Sequence, residues 1–271
     1  MSLLASPPLD PSVVSILGQP LRTFRVRLTY LLVGAAFGVG FTAIGLLGLA
    51  RLLLLVFRGA DSGTLVVQVI AVATFFLPGA IAIVWSLRRY RRVVTLCEGG
   101  LHVTDARGRG RSIAWHDVNG VTHKILRVYR PQLLGEPELV DIQDEYTLLL
   151  RNNEKVDVDY HFADVDALGQ VILQRTMEAL FPAMRQAFYA GQSLGFGPIA
   201  VDRYGVHVGG NALGWAEVAS LTWKPGLLAS DRAFLHVNRA GAWMAWAKVP
   251  VAEVVNYQVL MALARELNKA G

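Results

Sequence analysis

The stretch Leu28-Thr29-Tyr30-Leu31-Leu32-Val33-Gly34-Ala35-Ala36-Phe37-Gly38 opens a run of about 23 uncharged residues that ends at Ala50. A second run of about 24 residues, Thr64 to Leu87, has one strongly polar interruption, Gln68. At about 1.5 Å per residue, either run crosses a hydrocarbon core about 30 Å thick when helical. A helix satisfies its own backbone groups, so a helical hairpin is the simplest way to hold residues 28–87 in lipid. The link from Arg51 to Gly63 is too short to be a domain.

Charge at the ends of the two runs sets an orientation. Arg22, Arg25 and Arg27 precede the first run, and Arg88, Arg89, Arg91 and Arg92 follow the second, whereas the link carries only Arg51 and Arg58. By the positive-inside rule the chain is expected to be a multi-pass protein of the cell (inner) membrane with both termini cytoplasmic. Trp85 and Tyr90 suit the interfacial aromatic belt on the same side. Gly34 and Gly38 match the small-residue spacing of packed membrane helices and mark a helix-packing face, with self-association into a homo-oligomer as one use of it. Pro78-Gly79 is expected to kink the second run. Residues 1–27 read as a cytoplasmic tail with a brief amphipathic turn around Val13 to Leu17, without the pattern of a cleavable signal peptide.

Of 271 residues, about 180 lie outside the hairpin, enough for one large or two small domains. The hydrophobic fraction of 53% reflects the two runs. A formal net charge of +5, concentrated beside the hairpin, points to anionic membrane lipids rather than nucleic acid as the counter-surface. Cys97 is the one cysteine, which excludes an intrachain disulfide and suits a reducing compartment.

Past Arg92 the pattern changes to short alternating stretches punctuated by glycine, a β signature. Val93 to Cys97, Gly100 to Thr104 and Ser112 to Trp115 read as strands, and Asp105 to Gly110 supplies a turn. The phrase then returns. Gly100-Leu101-His102-Val103 is echoed by Gly205-Val206-His207-Val208, and Ala114-Trp115-His116-Asp117-Val118 by Gly214-Trp215-Ala216-Glu217-Val218. Each copy continues into a hairpin, Glu145–Arg151 with Lys155–His161 in the first and Ala233–Asn238 with Ala242–Ala247 in the second. Each closes with an amphipathic helix, expected over 163–180 and 250–268, where Leu168, Ile172 and Leu173 correspond to Val255, Val259 and Leu260. Asp164 is the expected N-cap, and Pro182 to Ala190 reads as a separate linking helix.

Those phrases, with Leu194-Gly195-Phe196-Gly197-Pro198 and Val249-Pro250-Val251-Ala252-Glu253-Val254, resemble an uncharacterised, largely bacterial group of membrane-anchored proteins. In that group a two-span hairpin precedes tandem pleckstrin-homology-like (PH-like) domains. The resemblance implies an α+β membrane protein: a transmembrane hairpin over 28–87, PH-like β-barrel or sheet units over 90–181 and 192–271, and a linker helix over 182–191. It implies no biochemical activity.

Arg107, Arg109 and Arg111 place three guanidinium groups on one glycine-rich turn, suited to bidentate contact with phosphate. With Arg88, Arg89, Arg91 and Arg92 they form the expected lipid- or anion-binding set. Asp157, Asp159 and His161 alternate and would share one strand face able to ligate a divalent metal, an enzymatic alternative without counterpart in the second copy. Glu136, Glu138, Asp141, Asp144 and Glu145 read as an acidic surface loop. His102, His207, Trp115 and Trp215 recur between copies and are expected to serve the fold. Trp223, Trp243, Met244 and Trp246 make either a core or a docking patch for a partner. No nucleophile elbow, phosphate-binding glycine loop, CxxC pair or HExxH helix occurs, and no cofactor or catalytic residue is expected. The function expected is a non-enzymatic adaptor, with a subunit of an oligomeric transport or channel complex as the alternative.

If residues 28–87 lie in a bilayer, the full-length protein should stay in the membrane pellet through alkaline carbonate extraction. Recovery in the supernatant would refute the span assignment.

Overall fold

Both apolar runs form long helices, and each is longer than its uncharged core. The computed structural model, which describes residues 10–130, 138–224 and 233–270, shows α2 over Leu28–Phe57 and α3 over Ser62–Tyr90, after a short α1 at Pro11–Leu17. Helix α2 continues through Arg51 because Leu52 to Phe57 are helix-compatible apolar residues, so the link shrinks to Arg58–Asp61. The Asp61 carboxylate accepts from the Thr64 backbone N–H at 2.9 Å and fixes the start of α3. Helix α3 runs unbroken through Pro78.

The two helices pack through small residues. A Cβ added at Gly34 would run into Ser86, at Gly38 into Ile83, at Gly45 into Phe76 and at Gly79 into Thr42. The face expected for self-association is therefore occupied by the second helix of the same chain. Gln68, the polar interruption, donates its amide to the Gly48 carbonyl at 3.0 Å. Outward-facing Leu32, Phe37, Leu47, Val67 and Ile81 are bare, and only 6% of each apolar window is buried.

The internal repeat becomes a repeated order of elements. The first copy has β1 (Pro20–Arg25), β2 (Val93–Cys97), β3 (Gly100–Thr104) and β4 (Gly110–Ala114) in one antiparallel sheet of that order. A 3-10 turn at Trp115–Asp117 leads to a second sheet of β5 (Val118–Arg130), β6 (Glu138–Leu150) and β7 (Lys155–Val158), followed by α4 (Val165–Tyr189). The second copy repeats this with β8 (Leu194–Phe196), β9 (Ile199–Val201), β10 (Gly205–Val208) and β11 (Asn211–Gly214). It continues through a 3-10 turn at Trp215–Glu217, β12 (Val218–Lys224), β13 (Phe234–Arg239), β14 (Ala245–Pro250) and α5 (Tyr257–Ala270). The fold is thus mixed α+β, with four open antiparallel sheets among the described residues; none of these closes into the barrel that was one expected form of the units.

Strand β1 is the element the sequence reading lacked. Its residues pair antiparallel with β2, Phe24 opposite Val94 and Arg25 opposite Val93. In the second copy the equivalent strands β8 and β9 are joined by Gly197-Pro198 alone. In the first copy the same junction holds residues 26–92, so the whole helical hairpin is inserted between two paired strands. Turn tips tolerate such insertions because their two ends already lie close together.

Three other boundaries differ from expectation. The helix and linker expected over 163–180 and 182–190 are one helix, α4, with Pro182 inside it. Met177, Phe181, Met184 and Phe188 recur along one side and pack on the second copy's core, so burial continues across the proline. Strand β7 stops at Val158, and residues 161–163 pair with the end of β1 instead: Arg27 N–H donates to the His161 carbonyl at 2.7 Å and Ala163 N–H to the Arg25 carbonyl at 2.8 Å. The last helix starts at Tyr257, not Pro250, which leaves Val255 ahead of it.

By contact the chain divides into Met1–Ser112 with His161–Ala163, and Ile113–Tyr160 with Asp164–Gly271. In the first unit Leu17, Phe24, Val94, Leu96, Leu101 and Phe162 are buried. The core of the second includes Phe196, Ile199, Val206, Leu235, Val259 and Leu260. Helix α5 starts after Asn256, whose φ of 53° lies in the left-handed region that asparagine tolerates. Its buried amide accepts from Val121 N–H at 2.9 Å and donates to the Asn119 carbonyl at 3.3 Å, while its own N–H donates to the Val121 carbonyl at 2.8 Å. One residue of the second copy thereby holds the start of β5 in the first.

Replacing Asn256 with Ala should cost about 2–4 kcal/mol, combining lost buried hydrogen bonds with a strained backbone. Asn256→Gly, which relieves the backbone alone, should cost less in denaturant unfolding of the detergent-solubilised protein. Equal losses for the two would remove the backbone contribution from this account.

Candidate functional site

Of the seven arginines expected to bind anions, the turn group is held by its own loop. The Asp105 carboxylate accepts from Arg107 N–H at 2.8 Å, Arg109 N–H at 2.9 Å and Arg109 Nε at 3.0 Å. These bonds, that from the Arg109 backbone foremost, hold the Asp105 carboxyl below its usual value. Gly108, at φ 81°, completes the turn. Arg107 and Arg109 are exposed and Arg111 is half-buried.

The arginines in the last turn of α3 and just after it divide by orientation. Arg88 and Arg91 are exposed, whereas Arg89 and Arg92 turn inward. The Arg92 guanidinium lies 5.1 Å from the Phe162 ring centroid, and that of Arg89 lies 4.5 Å from Trp85. One Arg89 nitrogen donates to Nδ1 of buried His161 at 3.2 Å, and the His161 ring meets Tyr30 at 4.7 Å. Tyr30, Trp85, Ser86, Arg89, Tyr90 and His161 line a cavity of ≈ 50 Å³ at the end of the helical hairpin. Sequence reasoning named Arg89 and His161 separately, for different purposes. The backbone pairing of residues 161–163 with β1 brings them together.

The metal-binding arrangement does not form. Asp157 is exposed and accepts from the Thr147 hydroxyl at 2.7 Å, while Asp159, beyond the end of β7, is buried. Among the described residues no three His, Cys, Asp or Glu side chains are grouped to hold a metal ion.

In the second unit the structure assembles a polar cluster that sequence reasoning missed. Strand β6 begins at Glu138, so Asp144 and Glu145 belong to a strand rather than an acidic loop; Glu136 lies outside the described residues. Asp144, Tyr146, Leu148 and Leu150 alternate onto the inner face, opposite Val121, His123 and Ile125 of β5. His123 Nε2 meets the Asp144 carboxylate at 2.6 Å, and its ring stacks on Tyr146 at 4.4 Å. Gly169 of α4 leaves the space that the Tyr146 ring fills. The signal available was period-two alternation, carried one residue ahead of Glu145 to reach Asp144.

Burial pushes the Asp144 carboxyl up, but the hydrogen bond and charge of His123 outweigh it and leave the carboxyl below its usual value. Burial, reinforced by the charge of Asp144, raises the hydroxyls of Tyr146 and Tyr257. His123 Nδ1 is enclosed without a hydrogen-bond partner among the described residues, so neither ring nitrogen is presented to solvent as a base. The pair therefore braces β5 against β6. Tyr257, 6.1 Å from the His123 ring, also lines a cleft of ≈ 410 Å³ with Ile125, Met177, Trp223, Met261 and Arg265. Apolar walls with a few polar groups, at this volume, are the usual form of a ligand cleft. Of the expected aromatic patch, Trp223 is 40% and Trp243 91% exposed, whereas Trp246 packs on the core.

Because the folded Asp144 carboxyl titrates below its unfolded value, its stabilising contribution is full above about pH 4 and is lost as pH falls through the folded value. Asp144→Asn should flatten the acid limb of the stability profile measured by denaturant titration. An unchanged limb would show that the His123 contact contributes nothing.

No curated protein matches this chain. A family model covers residues 12–270, which includes the helical hairpin and both copies of the repeat. On that match the chain belongs to DUF6585, a family of unknown function.

Proposed function

We propose that this protein is a membrane-anchored, non-enzymatic adaptor, presenting two PH-like units at the cytoplasmic face of the cell membrane to a protein partner and to anionic lipid. The observation that carries this reading is the bare apolar surface of α2 and α3, which water would leave unsatisfied and a bilayer covers. Seven arginines at one end of the hairpin against two in the link favour cytoplasmic termini. Antiparallel strands closed by a C-terminal helix, occurring twice, support the PH-like reading, although each copy has seven strands where that reading looks for five or six. Arg88, Arg91, Arg107, Arg109 and Arg111 supply the positive face toward lipid headgroups. Trp223, Met177 and Met261 in the cleft supply adaptable apolar surface for a partner segment, with Arg265 favouring an acidic residue beside it.

A photo-crosslinking residue in place of Trp223, in the full-length chain in native membranes, should give a discrete protein adduct that Arg265→Glu weakens severalfold. Adducts to lipid alone, or none, would sink the adaptor reading. A C-terminal tag should resist protease added outside intact cells and be cut in inverted vesicles; the reverse pattern would overturn the orientation.

A further inference from the structure

We infer that the cavity lined by Tyr30, Trp85, Ser86, Arg89, Tyr90 and His161 is a seat for one phosphate oxyanion, supplied by a phospholipid headgroup. The inference rests on the reading above that α2 and α3 lie in a bilayer, and it adds a specific site and ligand to it.

Depth is the first argument. Helices of 30 and 29 residues are each about 45 Å long, against about 30 Å for the hydrocarbon core. If they are centred, each end overshoots by roughly 7 Å, which places the first turn of α2 and the last turn of α3 among the headgroups. Tyr30 and residues 87–90 occupy those turns, with Trp85 and Ser86 at the inner edge of the overshoot. Phosphodiester groups are concentrated at that depth.

Chemistry is the second. The cavity of ≈ 50 Å³ has room for roughly three to five water-sized groups, the scale of a tetrahedral oxyanion. Arg89 enters it with its guanidinium placed by Trp85 at 4.5 Å and by His161 at 3.2 Å. A guanidinium carries five N–H donors in a fixed fork, so it can serve the imidazole and an oxyanion together. Because Arg89 donates to Nδ1, the neutral ring carries its proton on Nε2. Ser86, Tyr30 and Tyr90 also line the cavity, and none of the described residues lining it is acidic.

Preorganisation is the third. His161 is delivered by backbone hydrogen bonds to Arg27 and by the Val26–Phe162 bridge, not by a loop tip. The seat is thus assembled from three separate parts of the chain and held in place before a ligand arrives, which lowers the ordering cost of binding.

The test uses full-length protein, extracted in detergent and stripped of lipid. Phosphatidylglycerol, diacylglycerol with the same acyl chains, and inorganic phosphate are offered in turn, and native mass spectrometry counts what is retained. One phosphatidylglycerol per chain is expected, with diacylglycerol held at least tenfold more weakly. Arg89→Gln should lose at least tenfold in phosphatidylglycerol retention, and Arg203→Gln, a substitution elsewhere on the surface, should not. Arg89→Lys and His161→Gln carry the same comparison if Arg89→Gln does not fold. Equal retention of diacylglycerol, or full retention by folded Arg89 and His161 variants, would overturn the seat. Tight inorganic phosphate that Arg89→Gln abolishes, without phosphatidylglycerol, would assign the oxyanion to solution and overturn the lipid source. Release by alkaline carbonate would instead remove the bilayer reading itself, whereas a carbonate-resistant protein that fails to discriminate lipids refutes the seat alone.

Discussion

Strand β1 and strand β2 must pair although the whole helical hairpin lies between them in sequence, and most of the first unit follows from that constraint. Paired strands lie about 4.8 Å apart, whereas packed helices lie about 8–10 Å apart. Val26-Arg27 on one side and Arg91-Arg92 on the other span that difference. Residues 161–163 then attach to the same junction through the Arg25 and Arg27 backbone, so the exit from the sheet is hydrogen-bonded on two sides. A sheet edge that would otherwise expose unpaired backbone groups is covered where the chain turns into the helices.

Close approach of α2 and α3 depends on glycine in a direct way. At Gly34, Gly38, Gly45 and Gly79 even one methyl group would collide with the opposite helix. Lipid tails are as apolar as leucine, so association inside a bilayer relies on such packing and on bonds like that from Gln68 to Gly48, not on the hydrophobic effect. The large side chains face outward, where acyl chains can cover them. Both features place small residues where helix meets helix and bulky ones on the outward surface.

In the second unit buried polar contacts order β5–β7 of the first copy and tie them to the second. Asn256 ties the lead-in of α5 to β5, and His123 with Asp144 braces β5 against β6 beneath Tyr146. Helix α4 serves both copies, with Leu168 and Ile172 buried toward its start and Phe188 in the second copy's core. Duplication supplies two sets of similar strands. Asymmetric contacts of this kind join the second copy to β5–β7 of the first, because buried polar groups such as Asn256 and His123 are costly to leave unmatched.

Composition and periodicity alone determined the two long apolar helices, their charge asymmetry, the tandem β-rich repeat and its closing helices, because each is a property of neighbouring residues. Strand β1 escaped because six residues before a membrane-length run carry little signal, and only the pairing across residues 26–92 makes them a strand. The continuity of α4 through Pro182 was hidden for a similar reason: local propensity argues for a break, and burial on a distant core decides otherwise. Arg89 beside His161, and His123 beside Asp144, are likewise products of register and chain path. Sequence specified which residues can form helices, strands and charged ends; only tertiary structure chose which of them meet, because hydrogen-bond register and packing act between residues far apart in the chain.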